Sequence, residues 1–139
     1  MLTENDVVDA VAAYLPSLGY TVESTCTTTQ TGVDIVARND ATGRHMRLEA
    51  KGGTSSTYRT ARFSLPFNYG QVGSHVSGAL FKAAALLGKY PADEVALALP
   101  DDENHRARIK AIGLALSRLG IGVFLVAADR KVSVWTAEL

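Results

Sequence analysis

Cysteine is almost missing from this chain. Its 139 residues include one, Cys26, which excludes an internal disulfide framework and any cysteine-based zinc site. With no evident partner, Cys26 reads as a small buried or half-buried filler. No stretch is both long and apolar enough to span a bilayer, although hydrophobic residues make up 47% of the chain. The opening MLTENDVVDA is acidic where a signal peptide would be basic. A soluble cytoplasmic protein with no membrane partner is therefore expected. Internal repeats, linkers and low-complexity tracts are absent as well, so the length points to a single domain over residues 1–139 with one sizeable core.

Net charge is also missing: 14 Lys and Arg balance 14 Asp and Glu. That argues against a general nucleic-acid coat but hides an uneven distribution. Residues 1–37 hold Glu4, Asp6, Asp9, Glu23 and Asp34 with no Lys or Arg. Residues 38–82 hold Arg38, Arg44, Arg47, Lys51, Arg59, Arg62 and Lys82 against only Asp40 and Glu49. An anionic substrate is expected where that basic charge gathers. Arg47, Arg59, Arg62 and His75 are the candidate substrate contacts. The plainer alternative is a solvated surface with chance clustering.

What is present is a patterned α/β chain. Thr3 is a plausible N-cap, and Val7, Val8, Val11, Tyr14, Leu15 and Leu18 recur at helical spacing, so a helix is predicted over 3–18 with Pro16 disturbing its end. Thr- and Val-rich residues 20–31 favour strand. Two further strands, 33–38 and 44–51, flank the turn residues Asn39 to Gly43. A long connection, 52–70, contains Tyr58, Arg59, Arg62 and Phe63, suited to phosphates and bases, with a short strand expected within 62–65. A helix over 71–89 carries an almost wholly apolar second half, expected to be largely buried. EVALAL at 94–99 and IGVFLVA at 121–127 read as buried strands. Between them lies a helix over 101–119, and a short strand over 132–135 follows. The economical architecture is a mixed β-sheet with helices on both faces.

The chemistry-bearing stretch is GVDIVARNDATGRHMRLEAKGG, residues 32–53. On a strand alternate residues share a face, so Arg47, Glu49 and Lys51 point one way and Met46, Leu48 and Ala50 the other. If the two strands pair as a hairpin, Asp34 approaches the Glu49/Lys51 face. Two carboxylates and an ammonium held that close are costly unless a divalent cation compensates them. The alternative is an ion-pair ladder across a hairpin that does no chemistry.

Gly32-Val33-Asp34, then Glu49-Ala50-Lys51, with Glu4 early in the first helix and Gln71 starting the second, resemble the restriction-endonuclease-like, or PD-(D/E)XK, nuclease superfamily. Holliday-junction-resolvase-like and Mrr-like members look most similar, and the similarity covers about residues 4–126. Val33 stands where the superfamily's name has proline, a position that varies within it. The resemblance implies a restriction-endonuclease-like α/β fold and an endonuclease that hydrolyses phosphodiester bonds with Mg²⁺ or Mn²⁺, on DNA more than RNA. It also implies that Asp34, Glu49 and the Ala50 carbonyl hold the metal. Lys51 would then position or deprotonate the water, Glu4 would hold an outer-shell water or second metal, and Gln71 would orient the lysine or a phosphate. Two other functions compete: a non-cleaving module on the same fold that binds nucleic acid or a protein, and an interaction subunit whose apolar helices form a homodimer.

Overall fold

A computed structural model of the chain describes residues 1–26, 31–54 and 67–136. Arg59, Arg62 and the strand expected within 62–65 lie outside the described residues. The first helix, α1 (Glu4–Tyr14), is capped by Thr3, whose side chain accepts from Asp6 N while the Asp6 carboxylate accepts from Thr3 N, a closed capping box. Eleven residues are too few to hold a helix in water unaided. Val7, Val8 and Val11, all buried, dock it on the sheet, each contributing about 1.5 kcal/mol. The helix ends four residues earlier than its periodicity predicts. Pro16 has no N–H to donate, and Leu15–Leu18 tighten into a 3₁₀ turn closed by left-handed Gly19.

Among the described residues six strands then form one sheet in chain order: β1 (Tyr20–Thr25), β2 (Ile35–Asn39), β3 (His45–Ala50), β4 (Glu94–Pro100), β5 (Ile121–Val126) and β6 (Val132–Trp135). The first three pair antiparallel as a meander, β3, β4 and β5 run parallel, and β6 closes as an antiparallel hairpin. Two helical crossovers link the parallel strands: α2 (Tyr69–Lys89), then α3 (Glu103–Ala111) and α4 (Gly113–Leu119). Right-handed crossovers in one direction put their helices on one face, and α1 covers the other. Buried residues divide accordingly. Ala96, Ala98, Phe124 and Val126 pack with α1, whereas Val95, Leu97, Leu99, Val123 and Leu125 pack with α2, Ile109 and Leu116. Coverage on both faces explains why β4 and β5 read as unbroken apolar runs.

Three expectations are corrected. The helix expected over 101–119 is two, broken at Ile112, where a β-branched residue precedes buried Gly113, two poor helix formers in succession. β1 ends at Thr25; Cys26 and Thr31 lie outside it, and residues 27–30 of the stretch expected as strand lie outside the described residues. The second half of α2 is not largely buried: only Ala79 and Ala83 are, and Phe81 is 76% exposed. Its alanines and glycines make every side of the helix apolar, but the sheet covers one stripe. Among the described residues no helix is long and apolar enough to cross a membrane.

Candidate active site

The β2–β3 register, Ile35 opposite Leu48, sets Asp34 across from Glu49. Asp34 precedes the first residue of β2, so its side chain reaches past the strand end. There its Oδ2 accepts from Ala50 N at 2.8 Å. In extended backbone the N–H and C=O of one residue face the same edge, so the Ala50 carbonyl is aimed at the same place as its N–H. Lys51 N donates instead to Ala98 O on β4 at 3.0 Å, which continues the parallel pairing one residue beyond β3. The cluster thus sits at the carboxyl ends of parallel strands, where open α/β sheets place their ligands.

Glu49 is only 6% exposed. Burial, the neighbouring Asp34 charge and a hydrogen bond to Asp34 push its pKa up to about 7, against the opposing pull of Lys82 and Lys51. At neutral pH Glu49 therefore retains a proton part of the time and donates it to the Asp34 carboxylate. Glu4 joins from the first turn of α1. Its pKa is also raised, by burial and then by Asp34, with Lys51 and Lys82 opposing.

What brings Glu4 there is the glycine pair after Lys51. Gly53 N donates to Leu2 O at 2.8 Å, and Phe67 N to Gly53 O at 3.0 Å. Gly52 lies so close to α1 that a Cβ on it would be 2.6 Å from the Thr3 carbonyl carbon and nearer still to Glu4 N.

Other expected site residues fare differently. His75 stands near Lys51, packed edge-on against Phe67 with ring centroids 4.4 Å apart. Burial, then the Lys51 charge, then His105 lower its pKa, so it is neutral at pH 7. Gln71 closes the capping box of α2: its Oε1 accepts from Asn68 N while Asn68 Oδ1 accepts from Gln71 N, both at 2.9 Å. Arg47 shares the face of Glu49, but its guanidinium is held by Asp93 at 2.8 Å and stacks 3.6 Å from the Tyr90 ring centroid. Those partners turn it away from the cluster. Lys82 was no sequence candidate, yet it is the cation that most strongly opposes the raised pKa of Glu49. The available signal was its seven-residue spacing from His75, which puts both on one side of a helix.

Among the described residues no three His, Cys, Asp or Glu side chains converge as a ready-made metal cage. Two adjoining carboxylates that share a proton beside a backbone carbonyl nonetheless fit Mg²⁺ or Mn²⁺. Mg²⁺ in particular keeps several waters and takes one or two carboxylates plus substrate phosphate. No protein-family model matches the chain, and no curated protein is significantly similar to it.

The shared proton has a measurable consequence. Folding raises the Glu49 pKa from 4.5 to about 7, so the folded state binds more protons between those values. Stability in the metal-free protein then falls as pH rises through that window and levels above it. Glu49→Gln removes the penalty. Relative to wild type it is expected to gain about 2 kcal/mol between pH 5 and pH 8, read as the difference in urea midpoints at the two values. A difference that does not change with pH would show that Glu49 is an ordinary carboxylate.

Proposed function

We propose that this chain is a metal-dependent nuclease of restriction-endonuclease-like fold, hydrolysing phosphodiester bonds in DNA ahead of RNA. One observation carries the proposal: Asp34 and Glu49, brought into hydrogen-bonding contact at the ends of neighbouring strands, with Lys51 on the same face. Acidic oxygens beside an ammonium are what phosphodiester hydrolysis requires of a protein. The six-stranded mixed sheet with helices on both faces agrees with the fold.

Asp34 and Glu49 would hold Mg²⁺ or Mn²⁺, with the Ala50 carbonyl as a third oxygen. When bound, the cation supplies concentrated positive charge beside the scissile phosphate. Lys51 hydrogen-bonds the attacking water or a non-bridging phosphate oxygen and offsets the charge that develops there. Glu4, in the first turn of α1, would accept from a water held beside the cation. The Ala50 N–H fixes the Asp34 carboxylate so that it need not reorganise on binding. Gln71, which closes the capping box with Asn68, holds the start of the helix that carries His75 and Lys82.

Calorimetric titration with Mn²⁺ tests this directly, wild type against Asp34→Asn, a change that keeps an acceptor for Ala50 N and removes the charge. Wild type is expected to bind one ion saturably, and Asp34→Asn to lose about 100-fold or more in affinity. Glu49 must release its proton to act as a ligand, so affinity climbs as pH rises to about 7 and levels above it. Equal Mn²⁺ binding by the two proteins would remove the proposal.

A further inference from the structure

Three sides of α2 have different neighbours. Val72, Val76, Ala79 and Ala83 face the sheet. One flank faces α3, where Gly73 leaves room for the Arg108 guanidinium, which stacks 3.6 Å from the Tyr69 ring centroid. The opposite flank carries Gln71, His75, Gly78, Lys82, Ala85 and Lys89 at alternating four- and three-residue steps, one continuous stripe. This stripe runs antiparallel to β3. Close to its start His75 lies near Lys51, and Lys82 lies within electrostatic reach of Glu49 and Glu4. Its end, Lys89, lies 5.3 Å from the Tyr90 ring on which Arg47 also stacks. At 1.5 Å per residue, His75, Lys82 and Lys89 are spaced roughly 10 Å apart.

Beside this wall lies sheet that, among the described residues, no helix covers. Helices α2, α3 and α4 pack over β3, β4 and β5 and stop short of β1 and β2. The floor there is built from Thr21, Glu23, Val36, Arg38 and His45. Its charges are already matched: Glu23 meets His45 at 2.7 Å and Arg38 at 3.7 Å, and Arg38 also meets Asp40 at 3.7 Å. A wall with two exposed ammonium groups therefore borders a nearly neutral, half-exposed floor, and the groove opens at one end on the Asp34–Glu49–Lys51 cluster.

We propose that this groove is the track along which one phosphodiester strand of a nucleic acid enters the candidate active site, with Lys82 and Lys89 each meeting a phosphate. Its direction into the cluster rests on the nuclease proposal; its charge pattern does not. Lysines on a rigid helix flank bind a backbone without reading bases, so affinity depends on salt and little on sequence. Gly78 lies between His75 and Lys82 with open space where a Cβ would be, so the wall accepts a longer side chain at that point.

The test is fluorescence anisotropy of a labelled 20-nucleotide single strand on the full chain in EDTA, which separates binding from cutting. The double variant Lys82→Glu with Lys89→Glu is expected to bind at least about tenfold more weakly, with the slope of log affinity against log salt reduced by about 1.4, or 0.7 for each phosphate no longer neutralised. Gly78→Lys is expected to bind more tightly than wild type. Lys110→Glu with Arg118→Glu makes the same change of charge on exposed positions of α3 and α4 and is expected to stay within about twofold of wild type. Equal weakening by the two double variants would overturn the track, as would an unchanged salt slope, displacement of the strand by polyglutamate at equal charge, or no binding by wild type. Binding along the track without cleavage in Mn²⁺ would leave it standing and remove the nuclease. Normal binding and cleavage by Lys82→Glu with Lys89→Glu would do the reverse.

Discussion

Lys51→Ala is expected to lower Mn²⁺-dependent cleavage of plasmid or branched DNA by about 10³-fold while leaving Mn²⁺ affinity within a few-fold of wild type. The split follows from the role proposed for each group. On the nuclease proposal Asp34 and Glu49 would supply the oxygen donors, so their loss would remove cation and chemistry together. Lys51 cannot ligate a cation when protonated, and on the same proposal its part would be played toward the phosphate and the water. Its ammonium also opposes the raised pKa values of Glu49 and Glu4, so removing it lets both carboxyls hold protons to higher pH. The residual cleavage of Lys51→Ala should accordingly keep rising to higher pH than that of wild type. Cleavage at more than about a third of the wild-type rate would mean that Lys51 merely pairs with the acids beside it. The absence of cutting by wild type on supercoiled, linear, branched and single-stranded substrates with either metal would dispose of the nuclease itself.

The second large effect is expected at a residue with no side chain. Gly52→Ala would bring a methyl group against the backbone of Thr3 and Glu4, where neither residue has a flexible end to move aside. The first turn of α1 must shift, at a cost of about 3 kcal/mol and a fall in Tm of roughly 10 °C. The shift also carries Glu4 away from Asp34, so cleavage should fall further than Glu4→Ala alone predicts. Thermal melting of the two variants, followed by cleavage assays well below both midpoints, separates the packing cost from the missing carboxylate. A Gly52→Ala protein that melts like wild type would mean that the close approach of α1 to the strand end is not what places Glu4.

Much of this arrangement depends on short-range rules and is readable along the chain. Glu49 and Lys51 share a face because side chains on a strand alternate with period two. Asp34 meets them because Asn39 to Gly43 turns the chain back on itself: Asn39 Oδ1 accepts from Ala41 N and Thr42 N, and Gly43 takes a positive φ. The capping box at Thr3 is half legible from Thr3 and Asp6. The one at Asn68 is equally legible, because Asn68 and Gln71 stand at cap and N3 spacing, yet the family resemblance assigns Gln71 to the site instead.

Residues that reach the cluster from other elements lie beyond such rules. Nothing local tells that α1 crosses its face of the sheet with its first turn against Gly52, which is what delivers Glu4. Nor does anything local tell that α2 lies antiparallel to β3 so that Lys82 comes beside Glu49. The fate of Arg47 was set by Asp93 and Tyr90, more than forty positions away along the chain and adjacent in space across the β3–β4 pairing. By itself, then, the sequence determined where most strands and helices begin, the alternating faces of the strands, and the placing of Asp34, Glu49 and Lys51 on one hairpin, because backbone periodicity and turn chemistry act within a few residues. Only the tertiary structure decided which helices meet that hairpin, which of its charges are buried and which cations stand beside it. Burial and long-range pairing belong to the packed molecule and to no single segment of it.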